Sequence, residues 1–322
     1  MTKDLFKLLP EGQESKISTS LAVKELSAIA RASKSNCQLF KPLLIVRVVE
    51  KLLQHVVRGN QNAAKDMLLR QPDLLIKKGL VTDYSGRTFH DVSAWQCMLW
   101  ALDTRYMGQM MLLCVPAGKE GAALRKELLK QFDAMEQGIH YEAPDMSPNS
   151  ETIHYCDSHY DFGVIDALQK YIRDRDDKCE DRDAAIWMNT VAKAQRWMPA
   201  NGLQHYCDPD TAFQPLPDFK AQEFKRCDRF YNWISEESPH SGAWSHLFSG
   251  SSLDSGFGSK FSLIRAKGRA EGSDWNGDIF NEYATEALLA LHQLYKVRMN
   301  DAQQLKDKLH PYIFQAATHT RG

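Results

Sequence analysis

Apolar side chains recur at helical spacing in segment after segment of this 322-residue chain, and Pro, Gly and Asn punctuate the segments. That pattern confines the fold to packed helices with short connections. Leu21 to Ala32 sets Leu21, Val23, Leu26, Ile29 and Ala30 at helical intervals, with Thr19 and Ser20 as N-cap candidates. Pro42 stands where a first helical turn tolerates proline, which predicts a second helix over Leu43 to Val57. Gly59-Asn60 stops it, because the residue after a helix commonly needs positive φ. A third helix spans Asn62 to Leu69 and Pro72 closes it. Val92 to Leu102, capped by Asp91 or Ser93, then Tyr106 to Val115 and Glu120 to Glu136, are further helices.

Gly138 to Asn149, with Pro144 and Pro148, reads as a domain boundary, which divides the chain into 1–137 and 138–322. Beyond it, Phe162 to Arg173, Asp183 to Trp197, Phe219 to Ile234 and Ile279 to Arg298 read as helices. Lys260 to Ala266 alternates apolar and polar residues and is the most strand-like segment. The expected fold is mainly α, with an α-rich C-terminal domain carrying a minor β element.

Charge and cysteine usage narrow the function classes. The 40 Lys+Arg nearly cancel 41 Asp+Glu, leaving a net charge of -1, whereas nucleic-acid binders draw affinity from a basic excess. No apolar run approaches the ~20 residues of a membrane span, and Met1 to Lys7 opens no signal-peptide core. Seven cysteines at irregular spacing, without a CxxC, fit reduced thiols in a cytoplasmic compartment.

A search for internal repeats yields one lead. Gly59-Asn60, Ala63-Ala64 and Met67-Leu68-Leu69 resemble the second half of an ankyrin repeat, and Asp83-Tyr84-Ser85-Gly86-Arg87-Thr88 followed by Ser93-Ala94 resembles the turn and helix start of the next. Phe89-His90-Asp91 replaces the Pro-Leu-His of that family. The resemblance covers two repeat-like units over about residues 43–115 and implies ankyrin-like helical hairpins packed on the C-terminal domain. A wider run, Lys77 to Phe89 with Ser93-Ala94-Trp95 and Leu99 to Asp103, is similar to ankyrin-type effectors exported by type IV (Dot/Icm-type) secretion systems of intracellular bacteria. Ala194 to Asp218 and Arg229 to Trp233 resemble their later part. The resemblance implies secretion into a host cell and a host-cell protein partner. It brings no catalytic motif. Asp83, Tyr84, Arg87 and His90 are the expected binding residues, with Trp244 and Trp275 as aromatic anchors or plugs on Gly/Ser-rich loops.

His154-Tyr155-Cys156-Asp157 recurs as His205-Tyr206-Cys207-Asp208. Two His and two Cys, with His159 nearby, suit zinc in residue type but not in finger spacing, so no metal is assigned. A Cys nucleophile with the opposite His as base and an Asp to orient it is the enzymatic alternative, with His154, Cys156, Asp157, His205, Cys207 and Asp208 as candidates. Against both stands a structural role, with Tyr and Cys buried and His and Asp capping turns. Gly250 to Lys260 does not match a phosphate loop. The sequence implies no cofactor. The reading that emerges is a protein-binding module, with a Cys/His-dependent hydrolase or transferase as the alternative.

Overall fold

A computed structural model describes residues 21, 23–144, 152–175, 182, 186, 188–206, 213–222 and 277–310. Among these the chain is mainly helical, with one four-stranded antiparallel sheet. Helix α1 (Val23–Ala32) packs back on α2 (Lys34–Val57) around Leu26, Ala30 and Phe40, a small core apart from the main one. The α2 helix starts eight residues before Pro42 rather than after it, because Ser33 supplies the cap: its Oγ accepts from the Asn36 amide at 3.0 Å. Pro42 therefore sits inside the helix, where its ring forfeits one backbone bond. Gly59, at φ 70°, ends α2, and the Asn60 amide returns to the His55 carbonyl at 2.8 Å. Helix α3 (Gln61–Arg70) and a 3-10 turn (Pro72–Ile76) follow.

Strand β1 (Lys78–Thr82) then enters where the ankyrin-like reading expects helices on helices. Asp83 to Arg87 closes a hairpin onto β2 (Thr88–Ser93), so Thr88 begins a strand and not a helical first turn. The sheet order is β1-β2-β3-β4, with β3 (Ile139–Pro144) and β4 (Thr152–Asp157) drawn from the stretch read as a boundary and its sequel. Strands on either side of residue 138 are thus hydrogen-bonded neighbours: Thr88 faces Glu142 and Phe89 faces Tyr141. A bulge lies between β1 and β2, where Gly79 pairs with Val92 but Val81 pairs with Phe89. The additional residue, Asp91, takes φ 50°, and it leaves His90 and Asp91 both exposed between buried Phe89 and Val92.

Ser93 leaves the strand as the cap of α4 (Ala94–Trp100), in a capping box with Gln96. All seven residues of α4 are buried. A π-helical turn (Thr104–Gly108) leads to α5 (Gln109–Leu113), and α6 (Gly118–Ala134) covers α4, accepting the Trp95 indole N–H at the Leu128 carbonyl, 3.1 Å. After β4 come α7 (Val164–Asp174), a π turn (Met188–Ala192), α8 (Lys193–Arg196), α9 (Ala200–Tyr206) and the closing α10 (Gly277–Leu309). One main apolar core runs from Val49 to Leu309. Among the described residues no helix is long and apolar enough to cross a membrane.

Helix α10 is fastened through charge. Arg105 in the π turn grips Asp301 with two bonds, Nε to Oδ2 at 2.8 Å and Nη2 to Oδ1 at 2.6 Å. Arg298, 2% exposed, reaches the same carboxylate at 3.3 Å and lies over the Tyr106 ring. Its other nitrogen donates to Nε2 of His205. Lys260 to Ala266, the expected β element, lies outside the described residues.

Candidate functional site

The inner face of the sheet builds a cavity of about 280 Å³ against α4, the β4–α7 connection and α8. Strand periodicity decides what faces it, since successive side chains point to opposite sides. From β3 come Tyr141 and Ala143, and from β4 Tyr155 and Asp157. Trp100 ends α4, Tyr160, Asp161 and Gly163 supply the connection, and Ala194 and Trp197 close the far side.

Arg87 forms the floor. Its guanidinium is 2% exposed and bonds Asp83 Oδ2 through Nε at 2.8 Å and Ser85 Oγ through Nη2 at 3.1 Å. The Asp83 side chain also accepts the Ser85 and Arg87 amides, at 2.8 and 3.0 Å, so one carboxylate organises the turn and neutralises the cation. The Arg87 guanidinium carbon stands 4.6 Å from the Trp100 ring centre and 5.5 Å from that of Trp197, geometry in which a desolvated pair is worth ~2 kcal/mol. Rings continue outward: Phe89 meets Trp100 edge-on at 4.9 Å, and Tyr141 stacks on Tyr155 at 5.1 Å and 11°. Tyr155, 37% exposed, and half-buried Trp197 form the lip.

Polar groups divide by depth. At the mouth, Asp161 is exposed and Asp157 half-buried; the Tyr141 hydroxyl donates to Asp157 Oδ2 at 2.6 Å. Deeper, the Tyr160 hydroxyl and the Trp100 indole N–H are buried without a hydrogen-bond partner. Burial, aided by the Asp157 carboxylate, pushes the Tyr141 hydroxyl well above the ordinary phenol range. Burial does the same to Tyr160, against the opposing pull of Arg87. Burial thus favours the protonated form of both phenols.

Of the expected binding residues, Asp83 and Arg87 are joined but buried. Tyr84 lies under Arg58 at 5.3 Å, and His90 is exposed on the outer face, 3.5 Å from Glu142. Trp244 and Trp275 lie outside the described residues. The first His-Tyr-Cys-Asp segment is split by strand alternation. Tyr155 and Asp157 turn to the cavity, while His154 and Cys156 turn outward, His154 towards Glu142 at 3.7 Å and Cys156 towards His140 at 3.8 Å. In the second segment, His205 is buried in the Arg298 network, stacked on Tyr106 at 5.7 Å. Cys207 and Asp208 lie outside the described residues. His154 and Cys156 therefore share no surroundings with His205. Tyr and Cys of the first segment are exposed, not buried as the structural alternative had them. His159 bonds the Tyr160 carbonyl at 2.9 Å. Among the described residues no group of three or more His, Cys, Asp or Glu is arranged to hold a metal ion.

The cavity residues that sequence reasoning missed are Trp100, Tyr141, Tyr155 as a wall, Tyr160, Asp161 and Trp197. The dense aromatic and acidic run from Tyr155 to Asp161 was the local signal for Tyr155, Tyr160 and Asp161.

A mainly helical chain wrapped round a small antiparallel sheet, with an aromatic cavity between them, is the class these features define. Residues 163–309 match the family described as the CBUA0006 C-terminal domain. The chain is 32% identical to the uncharacterized protein CBUA0006 of Coxiella burnetii (strain RSA 493 / Nine Mile phase I) over 323 aligned residues, covering 96% of this chain and 89% of that protein. The chain belongs to the CBUA0006 family. No solved structure matches it.

Proposed function

We propose that the protein is a binding module that holds a partner protein through the cavity above Arg87. The observation that supports this is the lining: among the described residues it holds five aromatics, with Tyr155 and Trp197 at an open lip, and no Cys, His, Ser or Thr. Aromatic pockets of this kind anchor a partner by burying one of its side chains. The Cys/His enzyme alternative loses ground because Cys156 lies on the opposite face from Asp157, with His205 in a separate network.

The setting we propose is the cytoplasm of a host cell, reached by type IV secretion. Its support is the resemblance carried by residues 77–103, 194–218 and 229–233. We narrow the ankyrin-like reading to the α2–α3 pair, on the Gly59-Asn60 turn and Ala63-Ala64.

The test is affinity capture from a eukaryotic lysate by the full chain, beside a Tyr155→Ala/Trp197→Ala variant of unchanged circular dichroism. The expected result is a protein retained by the first and lost by the second. Equal capture by both removes the cavity from the binding surface. For the setting, a reporter fusion should reach host cytoplasm from bacteria with an intact Dot/Icm-type system and not from a secretion-deficient strain. Equal delivery from both strains refutes export.

A further inference from the structure

The charges around the cavity select among partners. Among the described residues, three carboxylates, Asp83, Asp157 and Asp161, stand against the single guanidinium of Arg87. Arg87 is spent: it is bound to Asp83 and Ser85, and it faces the Trp100 ring. Among the described lining residues, an incoming anion would meet Asp157 and Asp161 at the mouth before the Arg87 guanidinium. An incoming cation meets those carboxylates first, then the faces of Tyr155 and Trp197, whose π density attracts positive charge. The buried Tyr160 hydroxyl, without a partner, has an acceptor to offer an N–H donor.

We infer that the cavity takes an alkyl-ammonium group, the end of a lysine side chain on the partner protein, between the Asp157 and Asp161 carboxylates and the Tyr155 and Trp197 rings. This rests on the binding-module reading and specifies its ligand. The approach is steered by the mouth carboxylates, so affinity falls as salt rises. Alkylation of the amine leaves the charge and the ring contacts in place, whereas removal of the charge forfeits the cation–π attraction and the pairing with the carboxylates.

The test titrates n-butylammonium, n-butyltrimethylammonium, neutral n-butanol, anionic butyrate and a methyl glucoside into the full chain, followed by ligand-observed NMR. The two cations should bind, and butanol, butyrate and the glucoside should bind at least ~10-fold more weakly, the equivalent of about 1.4 kcal/mol. Asp157→Asn/Asp161→Asn should weaken the cations by a similar factor with unchanged thermal melting. Binding of butanol, butyrate or the glucoside as strong as that of the cations overturns the inference, as does an unaffected Asn variant. A free small amine as the ligand would show as cation binding that the captured partner does not compete away, and this too overturns the lysine assignment. If capture depends on Tyr155 and Trp197 but no cation binds, the inference fails while the binding-module reading stands.

Discussion

Arg87 Nε lies 2.8 Å from Asp83 Oδ2, and the two side chains, 2% and 7% exposed, sit within one hairpin turn. Such a pair gives little net stability when intact, but removing one member strands a buried charge, at a cost of ~3–5 kcal/mol. Asp83→Ala should therefore lower the urea-unfolding free energy by about that amount. Arg87→Met should lower it too, and the double variant should lose less than the sum of the two. Strict additivity in this cycle would show that the pair is not coupled. Arg87→Ala is accordingly a poor probe of binding, because it attacks the fold first.

The fastening of α10 makes a sharper contrast. Asp301 is 4% exposed at its side chain and answers both Arg105 and Arg298. Burial pulls the Arg298 pKa down, and Asp103, Tyr106 and Asp301 pull it back up. Asp301→Ala should cost ~3–5 kcal/mol and open α10 to amide exchange. Lys308→Ala removes only an exposed bond to Gln109 and should fall within ~0.5 kcal/mol of wild type. Comparable losses from both would refute the account.

Thiol chemistry separates the cysteines by depth. Cys97 is 3% exposed, and burial, then Asp83, push its thiol far above the ordinary range; burial also raises Cys114. Cys37 and Cys156 are exposed. Timed labelling with N-ethylmaleimide, read by peptide mass spectrometry, should modify Cys37 and Cys156 before Cys97 and Cys114. Early labelling of Cys97 would contradict its burial.

His55 gives the stability a pH dependence. Partial burial, then Lys51 and Arg58, hold its pKa below the ordinary 6.5. The unfolded chain takes up a proton near that pH which the folded chain resists, so the contribution is present above it and is lost as pH falls towards the folded value. The urea midpoint should drop between pH 7.5 and 5.5, and His55→Gln should make the drop smaller. An identical drop in the variant would clear His55 of the effect.

How far the sequence foretold this molecule depends on period. Helices α1 to α3, α6, α7 and α10 follow from apolar residues three and four apart, and Gly59-Asn60 ends α2 as such a pair should. The strands escaped for separate reasons. Strand β4 has no buried residue, and its alternation over Thr152 to Tyr155 breaks off at Cys156, too short a run to read as a strand. Strand β3 does alternate, with Ile139, Tyr141 and Ala143 buried and His140 exposed, but Gly138 and Pro144 beside it read as a linker. Asp83 and Arg87 stood out through a resemblance, and what that resemblance could not convey is that the turn folds inward. The paired His-Tyr-Cys-Asp segments suggested one site. On an extended strand neighbours diverge, and a helix carries His205 and Tyr206 of the second copy elsewhere.

The bulge at Asp91 has a bearing on how relatives of this chain can differ in length. Losing one residue from a regular strand exchanges inside for outside along the rest of it. In β2 the odd residue is already present and both His90 and Asp91 face solvent, so a sequence shorter by one there would still aim its counterparts of Phe89 and Val92 inward. A loss between Tyr141 and Ala143 has no such slack. It would turn one of the two away from the cavity, so a gap in one strand is tolerable where a gap in its neighbour is not.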